Sequence, residues 1–192
     1  GLFLGLEVSG DIIEESITLN NDLSGKAKIT LNFTKLKKKM DQALPSQNNF
    51  SFALQKVKND TLQNISGISN VLMTSNSENL IFNLSFNFAT VEALNSAMMA
   101  IWETETNYIL VKVKKVSISP SHLRHLKDDI NENSLDNNTL KDINYNLTIK
   151  TSSAPSKVKT NLKFTQTDSY ILLEKNLDTV SEDQEYLSFK ID

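Results

Sequence analysis

Only a few residues in this chain have the type and spacing that chemistry requires. His122 and His125 are its two imidazoles, and there is no cysteine, which excludes disulfides, thiolate metal sites and a cysteine nucleophile together. A serine triad needs a histidine held between a nucleophile and an orienting carboxylate. Here both histidines lie three apart in SPSHLRHLKDDI, which reads as a short helix opened by Ser119-Pro120. That spacing lets both rings face one ion, but structural metal sites usually take four ligands, and Asp128 and Asp129 read as ordinary carboxylates of a solvated helix face. The pair is therefore expected to hold no metal, and loss of both rings is expected to leave stability almost unchanged. Acidic neighbours occur at Glu14-Glu15, Asp128-Asp129 and Glu182-Asp183. Glycosidase chemistry needs two carboxylates that converge, whereas adjacent strand residues point to opposite faces, and nothing in the sequence marks any of these as buried. With five glycines and no phosphate-cradling glycine motif, nucleotide binding is not expected either. The reading is of a non-enzymatic chain that uses no cofactor.

Two further patterns suit contact rather than catalysis. Lys35, Lys37, Lys38 and Lys39 crowd the segment TKLKKKMDQAL and are candidates for touching anionic headgroups; the plainer alternative is a solvated helix face that keeps the protein soluble. Phe82, Phe86 and Phe88 alternate along one strand, as in platforms that stack single-stranded nucleic acid. They share their face with Leu80 and Leu84, however, and Arg124 is the only arginine in the chain, so these rings are expected in the core. The net charge of −3, with 20 basic and 23 acidic residues interspersed, gives no field for a phosphate backbone, and nucleic acid is not an expected partner. Trp102 reads equally as core or as a contact residue.

At 192 residues with 39% hydrophobic and 22% charged content, the chain is long enough to bury one sizeable core. Residues 1–5, which include the apolar Leu2-Phe3-Leu4, read as a tether or a remnant left by processing or cloning, and residues 6–192 as a single α+β domain. Ile13, Glu15, Ile17 and Leu19 alternate with mostly polar neighbours, as do Ala27, Ile29, Leu31 and Phe33; the polar NNDLSG between them predicts a hairpin. Leu36, Met40 and Leu44 then recur at helical spacing before Pro45. Residues 46–66 read as mixed helix and loop, with Leu54, Val57 and Leu62 as core contacts. Residues 67–103 repeat the hairpin-plus-helix pattern: Val71 and Met73, a turn, then Leu80, Phe82, Leu84, Phe86 and Phe88 on one face. A helix follows, capped by Thr90, with Val91, Leu94, Ala97, Met98 and Ile101 inward. Two ββα units, 6–44 and 67–103, thus suggest a loose duplication. Downstream, NYILVKVKKVSIS reads as one long strand, NENSLDNNTLKD as a mobile loop, and INYNLTIKT, KVKTNLKFTQT, SYILLEKNLD and LSFKI as a meander over 143–191. The predicted architecture is antiparallel sheet with amphipathic helices on one face.

The string GISNVLMTSNSENLIFNLSFNFATVEALNSAM resembles bacterial envelope lipoproteins of the LppM-like type, in which a Gly-Ile strand, a phenylalanine-rich alternating strand and a leucine-asparagine helix follow in that order. VSGDIIEESITLNNDLSGKAKITLNFT is similar to their first hairpin, and INYNLTIKTSSAPSKV with NLKFTQTDSYILL to their later hairpin region. The resemblance implies an exported domain, anchored in the envelope through a lipidated cysteine ahead of these residues, on the periplasmic or cell-surface side. The expected function is then binding of an apolar or amphipathic, lipid-like ligand or of another envelope protein. The alternative is an assembly subunit, of the adhesin or fimbrial kind, acting through strand edges.

Overall fold

Five large apolar side chains on alternate positions of one strand need something to cover them, and the covering element follows at once in sequence. The computed structural model describes residues 10–43, 57, 59–133 and 138–192. In it Leu80, Phe82, Leu84, Phe86 and Phe88 are all buried; the last four lie on strand β4 (Ile81–Phe88), which pairs antiparallel with β3 (Ile68–Asn76). Helix α3 (Val91–Trp102) lies in the chain directly after them and buries Leu94, Ala97, Met98 and Ile101. Thr90 caps it as expected, its hydroxyl accepting from the Ala93 amide at 3.1 Å. Such a cap satisfies one of the amides that a helix start leaves without a partner.

The first hairpin, β1 (Asp11–Leu19) with β2 (Gly25–Asn32), lies beside this unit, because β2 also pairs antiparallel with β4. At its turn end the strands approach so closely that a Cβ on Gly25 would sit 1.8 Å from the Thr18 carbonyl oxygen and 2.7 Å from the Phe88 ring, which leaves room only for glycine. Helix α1 (Thr34–Ala43) is tied down by β1: the Asp11 carboxylate, itself buried, accepts the Lys35 and Leu36 amides at 2.9 Å each. Leu36 is buried and Met40 packs against the core. In the short helix α2 (Asn59–Gln63) Leu62 is buried, and Val57 packs against the core ahead of it; Leu54, expected as a core contact, lies outside the described residues, as do all of residues 44–56.

The C-terminal third departs from a simple meander. Strand β7 (Ile143–Thr151) runs parallel to β1, Glu15 opposite Leu147, and among the described residues this is the one parallel pairing in a seven-stranded sheet ordered β3-β4-β2-β1-β7-β10-β9. Strands β9 (Lys163–Gln166) and β10 (Tyr170–Asn176) form its far hairpin. The run KVKTNLKFTQT is two strands in different sheets: β8 (Ser156–Thr160) leaves to join β11 (Leu187–Lys190) in a second, four-stranded sheet ordered β5-β6-β11-β8. The segment NYILVKVKKVSIS is likewise a hairpin, β5 (Ile109–Lys112) and β6 (Lys115–Ile118), which turns at Val113-Lys114 with Val113 at φ 57°. Its apolar and lysine residues keep alternating across the turn, which hides the reversal. The stretch read as a mobile loop closes in a 3₁₀ turn over Thr139–Asp142, where Leu140 is buried, while residues 134–137 lie outside the described set.

One core joins the two sheets. Asn95 of α3 locks them together: its side chain donates to the Ile109 carbonyl and accepts the Ile109 amide, both at 2.8 Å, completing backbone pairs that the short β5 leaves open. Helix α4 (His122–Asn133) packs Leu123, Leu126 and Ile130 inward. Since Phe86 is 1% exposed at the centre of this arrangement, Phe86→Ala is expected to cost about 3–5 kcal/mol, measured by denaturant unfolding of the purified chain.

Candidate functional site

Glu15 sits on the apolar face of β1 between Ile13 and Ile17, and its side chain is wholly buried. A carboxylate there stands only if donors surround it. Three do: the Tyr108 hydroxyl, just before β5, donates to Oε1 at 2.9 Å; the Tyr145 hydroxyl of β7 donates to the same oxygen at 2.6 Å; and Nε2 of His122, the first residue of α4, lies 2.5 Å from Oε2. Trp102, the last residue of α3, stacks on the imidazole with ring centroids 4.5 Å apart. It is core, and its Nε1 has no hydrogen-bond partner among the described residues.

The electrostatics follow from that geometry. Burial pushes the Glu15 carboxyl upward, but the His122 charge and hydrogen bond and the two tyrosine hydroxyls outweigh it, leaving the group below its ordinary value. Burial and the adjacent Glu15 charge raise both tyrosine hydroxyls well above theirs, so they remain donors. This is the one place where the fold assembles a carboxylate, an imidazole and two phenols, and it is sealed from solvent.

Two expectations are corrected here. His122 is buried, whereas His125 is exposed, so the pair does not form one solvated face; Glu15, read as unmarked for burial, is the most buried carboxylate of the acidic pairs, while Glu14 faces outward. Both signals were in the sequence. Glu15 alternates with Ile13, Ile17 and Leu19, and His122 lies on the same helical stripe as Leu126 and Ile130. Among the described residues, no group of three or more His, Cys, Asp or Glu is placed to hold a metal.

The lysine segment is held by carboxylates. Lys35 and Lys39 lie 3.2 and 3.4 Å from Asp142, and Lys37 lies 2.8 Å from Asp41, while Lys38 is exposed. The opposite, outer face of the large sheet carries an open cleft of about 600 Å³. Ile12 of β1, Asn144 and Asn146 of β7, and Glu174 and Asn176 of β10 line it, with Asn161 and Leu162 contributed by the β8–β9 connection and Lys163 by the start of β9. Its walls are fixed by bonds within the protein. Asn176 donates to the Asn144 side chain at 3.0 Å and the Lys141 carbonyl at 2.8 Å, Asn161 clamps Gln184 and Tyr186, and Lys163 lies 3.6 Å from Glu174. Asn146 stands between them, its amide group making no hydrogen bond among the described residues and its register partners being Glu14 and Glu174. No sequence motif announces this cleft, because its residues come from four strands that pair only in the fold.

No protein-family model matches the sequence, and no curated protein matches it. Among solved structures, the folded domain of Mycobacterium tuberculosis LppM aligns over 94% of this chain and 89% of that one, with a TM-score of 0.54 at 11% identity. The two share a fold. The match spans both sheets and is a likeness of structure, since so few residues are identical. An aminopeptidase N family protein from Idiomarina loihiensis aligns over 92% of this chain and 29% of that one, at 13% identity and a TM-score of 0.38, too slight a likeness to inform function. Among the described residues no helix is long and apolar enough to cross a membrane.

His122→Ala, which strands the buried Glu15 charge, is expected to destabilise the chain by about 3–5 kcal/mol, while His125→Ala changes stability by less than about 0.5 kcal/mol. Because Glu15 titrates below its ordinary value of 4.5, its contribution is present above that pH and is lost as pH falls through the lowered value. Unfolding followed by Trp102 fluorescence between neutral and acid pH should show this loss, and Glu15→Gln should flatten that part of the profile while lowering stability at neutral pH.

Proposed function

We propose that this chain is the folded, non-enzymatic domain of a cell-envelope lipoprotein, which binds a partner through the open cleft on the outer face of its large sheet. The observation that carries this reading is the contrast between the two polar sites. The chemically capable one, Glu15 with His122, Tyr108 and Tyr145, has no access for a substrate, and a sealed ion pair braced by hydroxyls serves packing specificity rather than turnover. The accessible one, the cleft around Asn146, offers amides, a carboxylate and lysines on rigid strands but no nucleophile with its base. That is the make-up of a recognition surface.

The polar lining favours the hydrogen-bonding head of an amphipathic ligand, or a protein surface, over a wholly apolar guest. Placement in the envelope is supported by the sequence resemblance to LppM-like lipoproteins together with the fold shared with the LppM domain. The strand-edge assembly reading is supported by exposed apolar side chains on edge strands, Leu72 on β3, Phe164 on β9 and Leu110 on β5. β3 is also irregular between Ser69 and Leu72 and places Asn70 at φ 52°; such bulges blunt an edge against pairing. The cleft reading is therefore preferred.

The protein purified from its own cells without denaturant is expected to show, by native mass spectrometry, a bound species that is released on unfolding. Asn146→Arg should fill the cleft and remove that species while leaving the melting temperature within a few degrees. Wild-type protein that carries nothing, or a bound species retained in Asn146→Arg, would count against the cleft.

A further inference from the structure

The four-stranded sheet has one face in the core and one in water. Ile109, Val116, Ile118, Leu187 and Phe189 point inward. The outward face follows from the pairing register: Lys112 lies opposite Lys115, and Lys115 opposite Lys190, so three lysines stand in one row across β5, β6 and β11. Lys159 of β8 belongs to the neighbouring row, opposite Ser188. Lys114 in the β5–β6 turn and Lys157 at the irregular start of β8 add two more exposed amines. No Asp or Glu occurs in any of these four strands, and the nearest along them are Glu185 and Asp192, two residues before and two residues after β11. None of the six lysines makes an ion pair among the described residues. In a chain whose net charge is −3, gathering unpaired cations on one surface with no carboxylate among them produces a local positive field.

Apolar groups accompany the charge. Leu110, on the same outward face, is 53% exposed. Val113, at the tip of the β5–β6 turn, is 95% exposed and held at φ 57°, a conformation that a β-branched residue adopts only under constraint. A strained valine set out into water beside lysines has no packing role within the domain.

We infer that the outer face of this sheet docks on an anionic bilayer, its lysines against the headgroups and Val113 with Leu110 entering the interface. The charge is complementary to such a surface. All six cations are lysines, point charges that suit a fluid plane of headgroups better than the bidentate geometry with which arginine reads a fixed phosphate. The four lysines on α1 do not form an equivalent face, three of them being held by Asp142 and Asp41. This docking is independent of the cleft, which lies on the other sheet, and takes from the proposed function only a location near a membrane.

The test is flotation of the whole 192-residue chain with vesicles of phosphatidylcholine alone and vesicles in which phosphatidylglycerol replaces part of it. Binding is expected only to the second kind, and to disappear near 1 M salt, where the Debye length is about 3 Å. The combined reversal Lys112→Glu, Lys115→Glu, Lys190→Glu should weaken binding by more than about a hundredfold, since loss of each lysine alone is worth roughly fivefold. A Lys→Gln set at the same positions serves if the reversal disturbs folding by circular dichroism. Lys35→Glu with Lys38→Glu should leave binding unchanged, and Val113→Asp should reduce it several-fold. Wild-type chain that ignores phosphatidylglycerol vesicles, vesicle binding untouched at positions 112, 115 and 190, or binding confined to a soluble polyanion such as heparin would each overturn the assignment. None of these outcomes bears on whether Asn146 holds a ligand.

Discussion

Placing an ionised carboxylate in an apolar core is among the most expensive things a fold can do, and the position of Glu15 constrains nearly every other element. Its desolvation is offset only if Tyr108, Tyr145 and His122 all reach it. Those donors come from the entry to the second sheet, from the strand beside β1 and from the start of α4. If β7 were shifted by one residue along β1, Tyr145 would turn to the outer face, and two of the donors would be left around an uncompensated charge. The cluster thus penalises wrong registers more than it strengthens the right one, a role for which buried polar groups are well suited when every member is satisfied. Trp102, stacked on His122, extends the same constraint to α3.

What the sequence made legible was whatever depends on near neighbours. The alternation of Leu80 to Phe88, the Thr90 cap, the helical stripe of α3 and the first hairpin all follow from periods of two and of about 3.6 residues, and they lie where those periods put them. The elements that differ depend on pairings distant in sequence. Nothing local to INYNLTIKT says that it joins β1 in parallel, nor that KVKTNLKFTQT divides between two sheets at Asn161-Leu162. The candidate sites divide in the same way. The lysines of α1 were visible as a run, but their partner Asp142 lies 103 positions beyond Lys39. The spacing of His122 to His125 suggests a shared solvated face, whereas its spacing to Leu126 and Ile130 is the one the helix uses to turn it inward. The cleft around Asn146 and the lysine row of the second sheet exist only once strands are ordered.

The fold sorts its polar residues by surface. Asparagine, threonine and a few charges occupy the outer face of the seven-stranded sheet, as at Asn83, Thr30 and Asn146, whereas the outer face of the four-stranded sheet is nearly all lysine and serine. Both sheets pack their other faces into one core, so the two exposed surfaces are held in fixed relation to each other by Asn95 and by the Glu15 cluster. The domain thus presents a face of mixed charge that bears amides and a separate lysine-rich one, fixed relative to each other without moving parts.

The pairing of β1 with β7 also sets the order of assembly. Glu15 and Tyr145 are 130 positions apart, so during synthesis the first strand waits on the order of ten seconds for its neighbour. Until then the chain can form its local hairpins but not the centre of its large sheet, and the Glu15 carboxylate stays in water. Contacts this far apart in sequence make for slow folding. On the proposed reading of an exported domain, that delay keeps the chain pliable until most of it has been made.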